Sequence, residues 1–214
     1  KNYNECIKAC DNSLNRLGLD FLDCYLIHAP FCIDHRLEQW NALIDLKKAG
    51  KIKAIGVSNY SEKHIEEIIN SELELPEVNQ IELHPWCQKT NLVSFLNIKS
   101  IKIVAYSSLV PLESWREKPN QDSAKSEKMK KDGGDEKSFF KELSKKYNVT
   151  EAQILLKWGL QKGFVILPKS SDPKRIKENF ELNFDIDKSD MDMISGMERG
   201  DGVAWPGGDP CNAE

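Results

Sequence analysis

LEQWNALIDLKKAGKIKAIGVSN, residues 37–59, passes from an amphipathic helix through a terminating glycine directly into a β-strand. Gly50 stands just past the last lysines of the helical stretch, where a residue free to turn left-handed ends a helix. KIKAIGVSN has the short apolar run of a strand. The same unit recurs on both sides. Upstream, KNYNECIKACDNSLNRLGLD (1–20) predicts a helix, with Cys6, Ile7, Cys10, Leu14 and Leu17 at helical spacing and Gly18 as its stop. FLDCYLIHA (21–29) is too apolar for a half-exposed strand and predicts one buried on both faces. Downstream, SEKHIEEIINS (61–71), with Ser61 as N-cap, leads to the strand VNQIELH (78–84), and the helix NLVSFLNIKS (91–100) leads to IKIVAYSSL (101–109).

The alternation resumes after a change of composition. ESWREKPNQDSAKSEKMKKDGGDEKS (113–138) is rich in charges of both signs and poor in large apolar residues, and predicts a mobile loop inserted within the domain. KSFFKELSKKYN (137–148) and AQILLKWGLQKG (152–163) then read as helices, the second opened by a capping box of Thr150 and Gln153. FVILPKS (164–170) reads as a strand and PKRIKENF (173–180) as a helix with Pro173 in its first turn.

Strands alternating with helices imply a parallel α/β sheet with right-handed crossovers. The strand ends His28, Ser58, His84 and Ser107 follow one another at 30, 26 and 23 residues, with Lys169 after the charged insertion. Five strands fit either an open doubly wound sheet or part of an eight-stranded barrel, which takes roughly 250 residues when complete. Periodicity leaves that choice open.

Composition narrows the function classes. The 214 residues are 40% hydrophobic and 30% charged with a formal charge of -4, so there is no broad excess of Lys and Arg for nucleic acid. No run of 18 apolar residues spans a membrane. KNYNECIKAC at the start is polar and amphipathic, unlike a signal peptide, and a first residue of Lys rather than Met points to a truncated or processed start. The six cysteines form no Cys-x-x-Cys pair and no zinc-type spacing, which fits reduced structural thiols in a cytoplasmic protein.

In parallel α/β proteins the functional groups gather at the carboxyl ends of the strands. Here those ends are polar throughout: His28, Ser58-Asn59, Gln80 and Glu82, Tyr106-Ser107-Ser108, and Lys169-Ser170. The succession suggests one rim lined for a polar ligand. Ser171-Asp172-Pro173 then opens a helix carrying Arg175, so Lys and Arg flank backbone N–H groups suited to a phosphate monoester. A solvated basic helix start is the alternative. No Gly-x-Gly-x-x-Gly or P-loop occurs, so a nucleotide would be held without either fingerprint.

SLNRLGLDFLDCYLIHAP, KAGKIKAIGVSNY, VNQIELHP, VAYSSL and LPKSSDPKRIKENF, in this order, resemble segments of the aldo-keto reductase family. The resemblance runs from about Asn12 to the end of the chain, apart from the charged insertion. It implies a (β/α)₈ TIM barrel, incomplete here, with about strands 4 to 8 present in a C-terminal portion of the parent protein. It also implies NADPH-dependent reduction of aldehydes or ketones by hydride transfer, in a monomeric protein with a small-molecule carbonyl substrate. On the same ground His28 is the active-site histidine, orienting the carbonyl and stabilising charge on its oxygen. Ser58, Asn59 and Gln80 match the residues holding the nicotinamide carboxamide, and Tyr106 the aromatic that stacks on its ring. Ser107 and Leu109 match contacts near the pyrophosphate. Lys169, Ser170 and Arg175 match the grip on the 2′-phosphate, and Glu178 and Asn179 the contacts to adenine.

The departures define what this chain lacks. The family's general acid is a tyrosine assisted by a lysine and an aspartate, all on segments before the histidine strand. Lys1 and Tyr3 fall on a helix and match none of them, so residues 1–214 alone are expected to be inactive. Ala29 stands where many relatives have tryptophan, and MERGDGVAWPGGDPCNAE (197–214) offers Trp205 as a pocket wall. Two rival readings stand beside the reductase. One is a non-catalytic NADP-binding sensor or channel-associated subunit, and the other a phosphate-binding lyase or isomerase with Lys169 as a Schiff-base residue.

Overall fold

A computed structural model describes residues 1–112, 134–200 and 202–214, the side chains of 134–138 excepted. The chain divides into two compact units. One comprises Lys1–Ile81, Thr90–Ile103 and Gly207–Glu214, the other Glu82–Lys89 and Val104–Pro206.

The first unit opens with helix α1 (Tyr3–Leu17), capped reciprocally by Asn2 and Glu5 and closed by Gly18 in the left-handed conformation at φ 66°. Strand β1 (Leu22–Ile27) follows, then a 3₁₀ turn (Ile33–His35) running into α2 (Arg36–Lys48), β2 (Ile52–Ser58), α3 (Glu62–Asn70), β3 (Val78–Glu82) and α4 (Thr90–Ile98). β1 pairs parallel with β2 in the register Leu22 to Ile52, and β2 with β3 in the register Gly56 to Val78. Gly56 is required there: a Cβ would meet the Val78 carbonyl oxygen at 2.6 Å and Leu26 Cδ2 at 2.7 Å. Leu43, Ile55, Val57, Ile65 and Ile81 are fully buried between these strands and helices.

The second unit holds the end of β4 (Lys102–Tyr106), helices α5 (Gly134–Tyr147) and α6 (Glu151–Gln161), strand β5 (Val165–Ile166), and helices α7 (Pro173–Glu178) and α8 (Lys188–Ser195). The expected capping box of α6 is present, Thr150 Oγ1 accepting from the Gln153 N–H at 3.2 Å and Gln153 Oε1 from the Thr150 N–H at 2.9 Å. β4 and β5 pair parallel. Ile154, Leu155, Leu156, Trp158 and Ile194 form the core, with Trp158 meeting Phe164 edge-on at 6.0 Å. The strands neighbour one another in chain order, β1-β2-β3-β4-β5.

Three expectations need correction, and one helix was not foreseen. β1 is not buried on both faces: Asp23 and Cys24 are exposed and only Ile27 is buried, because the strand stands at one end of the sheet order with β2 as its one strand partner among the described residues. β5 is two residues long rather than seven, since Pro168 has no N–H for a ladder. The loop expected over 113–138 gives way to helix from Gly134; the rest of it, 113–133, lies outside the described residues. α8 was unforeseen, though Asp187 caps it by accepting from the Asp190 N–H at 2.9 Å. None of the cysteines forms a disulfide among the described residues. No helix of the described residues is long and apolar enough to cross a membrane.

Candidate active site

In the first unit the polar strand ends are tied to one another. His28 follows the last residue of β1 and is exposed, and its carbonyl oxygen accepts from Asn59 Nδ2 at 3.1 Å. Asn59 is fully buried and left-handed at φ 62°, a conformation that asparagine tolerates better than most side chains. Its backbone N–H donates to the Gln80 carbonyl at 2.9 Å, and Ser58 Oγ donates to the same oxygen at 2.7 Å. Asn59 Nδ2 also donates to Ser58 Oγ at 3.1 Å.

Two of the three expected carboxamide-holding residues thus have side-chain donors already committed inside the protein. A hydroxyl oxygen accepts twice, so among the described residues Ser58 Oγ keeps one lone pair, and Gln80, half-buried in the middle of β3, keeps its amide. These groups complement a primary amide. Asn79, overlooked in the sequence, supports them: it is fully buried, and its Nδ2 donates to the Tyr60 carbonyl at 2.7 Å, pinning the residue after Asn59. An asparagine directly before Gln80 in the strand VNQIE was the available signal.

In the second unit Tyr106 ends β4, half-buried, and its hydroxyl accepts from Trp205 Nε1 at 2.9 Å. Ser107 is left-handed at φ 59°, and Leu109 lies half-buried in the following turn. Lys169 is exposed three residues beyond β5. Glu178 and Asn179 are half-buried at the end of α7, the Glu178 carbonyl accepting from Gln153 Nε2 at 3.1 Å.

The expected amide cradle at the start of α7 is corrected. The Asp172 carboxylate accepts from the N–H groups of Lys174 at 2.8 Å and Arg175 at 3.3 Å, and Pro173 has none to offer. These N–H bonds hold the Asp172 carboxyl below its ordinary range. What remains for an anion is side-chain chemistry: Lys169, Arg175 and the Ser170 hydroxyl, which accepts from the Asp172 N–H at 3.1 Å. Lys169 has no ion pair among the described residues, and Arg175 Nε stands 3.9 Å from Asp172 Oδ2 while two-thirds exposed. Cations so weakly neutralised fit a phosphate monoester.

Glu82 and His84, read only as polar strand-end residues, prove to be buried. Glu82 is fully enclosed and accepts from His84 Nε2 at 3.0 Å and from the backbone N–H groups of Val203 and Ala204. Burial pushes the carboxyl up, and the hydrogen bonds outweigh it, leaving it below its ordinary value. Burial pushes His84 down, which keeps it neutral with Nε2 protonated. No His/Cys/Asp/Glu cluster suited to a metal occurs among the described residues. Tyr3 sits on α1 with its hydroxyl donating to Asp45 on α2 at 2.9 Å.

Residues 1–199 match the profile of the Aldo/keto reductase family. The chain belongs to this family. An uncharacterized oxidoreductase of Schizosaccharomyces pombe is 36% identical over 211 residues, which are 98% of this chain and 68% of the relative. Methylglyoxal reductase DkgA of Escherichia coli O157:H7 is 36% identical over 92% of this chain and 66% of its own. The chain therefore spans about two thirds of the length of these family members. Among solved structures, a point mutant of Gox0644 in complex with NADPH superposes with a TM-score of 0.80 at 33% identity, covering all of this chain and 71% of that one.

Proposed function

We propose that the protein reduces small aldehydes or ketones with NADPH, and that residues 1–214 supply the cofactor cradle and the carbonyl-orienting histidine. The observation that carries the reading is the bonded set His28, Ser58, Asn59 and Gln80 at and near the ends of β1, β2 and β3. NADPH, when bound, supplies the hydride. Gln80 and Ser58 hold the nicotinamide amide, and the Tyr106 ring is the platform that selects one nicotinamide face. Ser107 and Leu109 contact the pyrophosphate. Lys169, Ser170 and Arg175 hold the 2′-phosphate, with Glu178 and Asn179 at the adenine. His28, exposed at its strand end, donates to the substrate oxygen as negative charge develops there.

The relatives named for methylglyoxal reduction and the NADPH-bound structure support this chemistry. The five strands correspond, in this reading, to strands four to eight of a (β/α)₈ barrel in a cytoplasmic, monomeric enzyme. Apolar side chains exposed beside the two end strands, among them Phe21 near β1 and Val165 and Leu167 at β5, support that correspondence. The proton donor is not assigned within residues 1–214.

The test follows NADPH oxidation by the full-length protein with methylglyoxal, for wild type and His28→Ala. Turnover that falls by about two orders of magnitude or more in the variant, with NADPH affinity kept, supports the reading. NADPH binding without turnover on a panel of aldehydes and ketones overturns the enzyme and leaves the sensor.

A further inference from the structure

We propose that Glu82 and His84 form a buried positioning pair that holds residues 203–205 so that Trp205 binds the hydroxyl of Tyr106, and that this contact shapes the carbonyl substrate's pocket. The second clause rests on the reading of Tyr106 as the nicotinamide platform.

The geometry starts at Glu82, the last residue of β3. Its carboxylate gathers three donors: the Val203 N–H at 2.8 Å, the Ala204 N–H at 3.0 and 3.1 Å to the two oxygens, and His84 Nε2 at 3.0 Å. The next residue, Trp205, donates to Tyr106 at 2.9 Å. The hairpin that follows Glu82 docks the preceding stretch of the same segment. His84 and Cys87 exchange backbone hydrogen bonds at 3.1 and 2.9 Å, the Trp86 carbonyl accepts from the Arg199 N–H at 3.0 Å, and the Arg199 guanidinium lies 3.9 Å from the Trp86 ring centroid. Gln88 reaches the carbonyls of Ile194 and Ser195 at 3.3 and 3.0 Å. Residues 82–88 are thus a post to which residues 194–199 and 203–205 are fastened.

A buried charge held by two backbone amides is an expensive fastening if stability alone were served. His84 adds to that cost: it is almost wholly enclosed, and its Nδ1 has no hydrogen-bond partner among the described residues. What the pair secures is one orientation of the backbone immediately before Trp205. A glutamine in place of Glu82 has a single acceptor oxygen against three converging donors, so its NH₂ would be forced onto an N–H group.

The full-length protein is compared as wild type, Glu82→Gln, Trp205→Phe, Tyr106→Phe and the Glu82→Gln/Trp205→Phe double variant. The first measurement is the Trp205 fluorescence, taken as the difference from Trp205→Phe. It needs no turnover: Glu82→Gln should shift that emission to the red and increase its quenching by acrylamide. The second is the KM for the carbonyl substrate, expected to rise on the order of tenfold in each single variant with less change in kcat. The double variant should be no worse than Trp205→Phe. An unchanged Trp205 emission in Glu82→Gln overturns the positioning pair. An unchanged KM in both Trp205→Phe and Tyr106→Phe overturns the link to substrate. A wild type that reduces no carbonyl overturns the reductase reading and the link to substrate, and leaves the fluorescence result to decide the positioning pair.

Discussion

The Asn59 side-chain amide donates to the His28 carbonyl oxygen at 3.1 Å, so the residue just past β2 fixes the backbone of the residue just past β1. Parallel pairing sets the register of these strands up to Ile27 and Val57; this side-chain bond extends the order one step further, to the residue proposed to meet the substrate. Asn59 serves because it tolerates φ 62° while offering two amide protons.

Asn59→Ala should therefore lower stability and activity together. It removes the bonds to His28 and Ser58 from a buried site and places a less tolerant residue in the left-handed region, at a cost of about 1–3 kcal/mol. Asn59→Gly relieves the backbone without restoring the bonds. Urea unfolding should rank wild type above Asn59→Gly and that above Asn59→Ala; equal stability of all three would show that the bond orders nothing.

Arg175→Ala should weaken NADPH and leave NADH nearly unchanged, because NADPH alone carries the 2′-phosphate. Removing one charge-assisted hydrogen bond from the complex corresponds to roughly 1.5–3 kcal/mol, on the order of tenfold or more in Kd. Asp172→Asn should act in the opposite direction. The amide oxygen still caps α7, while the negative charge 3.9 Å from Arg175 Nε is gone. Titration of both cofactors against both variants checks this; equal effects on NADH and NADPH would assign Arg175 another task.

Stability should fall on acidification in a window set by two buried histidines. His64 accepts the Ser61 N–H on Nδ1 at 3.0 Å, so its Nε2 carries the proton and meets the Ala213 carbonyl at 3.1 Å. Burial, then the neighbouring Arg36 charge, pushes its pKa down, and burial does the same to His84. Groups with folded values below the ordinary one of about 6.5 bind more protons unfolded than folded in between. Stability is then full above about pH 6.5 and is lost as pH falls through the folded values. Glu82, also lowered, adds a loss of the same sign below the ordinary carboxyl range. Urea midpoints at about pH 7.5 and about pH 5.5 should differ less in His64→Gln than in wild type. An identical difference would place the acid sensitivity elsewhere.

The elements legible in the sequence were those with local causes. Gly18 stops α1, and Thr150 with Gln153 opens α6, because each signal and its effect lie within one turn. Burial of β1 was misread because an apolar run does not say how many neighbours a strand has. Asp172 was read as part of a helix start that leaves N–H groups open, when an aspartate at the N-cap fills them itself. Glu82 meets Val203 and Ala204 across more than a hundred residues, and no spacing rule reaches that far. The rim residues were legible by order and type; the bonds that orient them were not.

The last expectation concerns a polypeptide of residues 1–214 on its own. β1 and β5 stand at the two ends of the strand order. Beside β1 and its preceding turn, Leu19, Phe21 and Cys24 are exposed; at and after β5, Val165 and Leu167 are about half exposed. Unpaired strand edges with apolar neighbours are templates for pairing with other chains. Burying such surface contributes ~25 cal/mol per Å², against a net stability of only ~5–15 kcal/mol for a domain, so leaving it in water removes a large share of the margin. This polypeptide should aggregate or form a molten state that binds a hydrophobic dye, and should not oxidise NADPH with methylglyoxal. Sedimentation and a thermal scan decide it. A soluble monomer with a cooperative transition and measurable turnover would overturn both the proposed assignment of strands four to eight and the proposal that the proton donor lies outside residues 1–214.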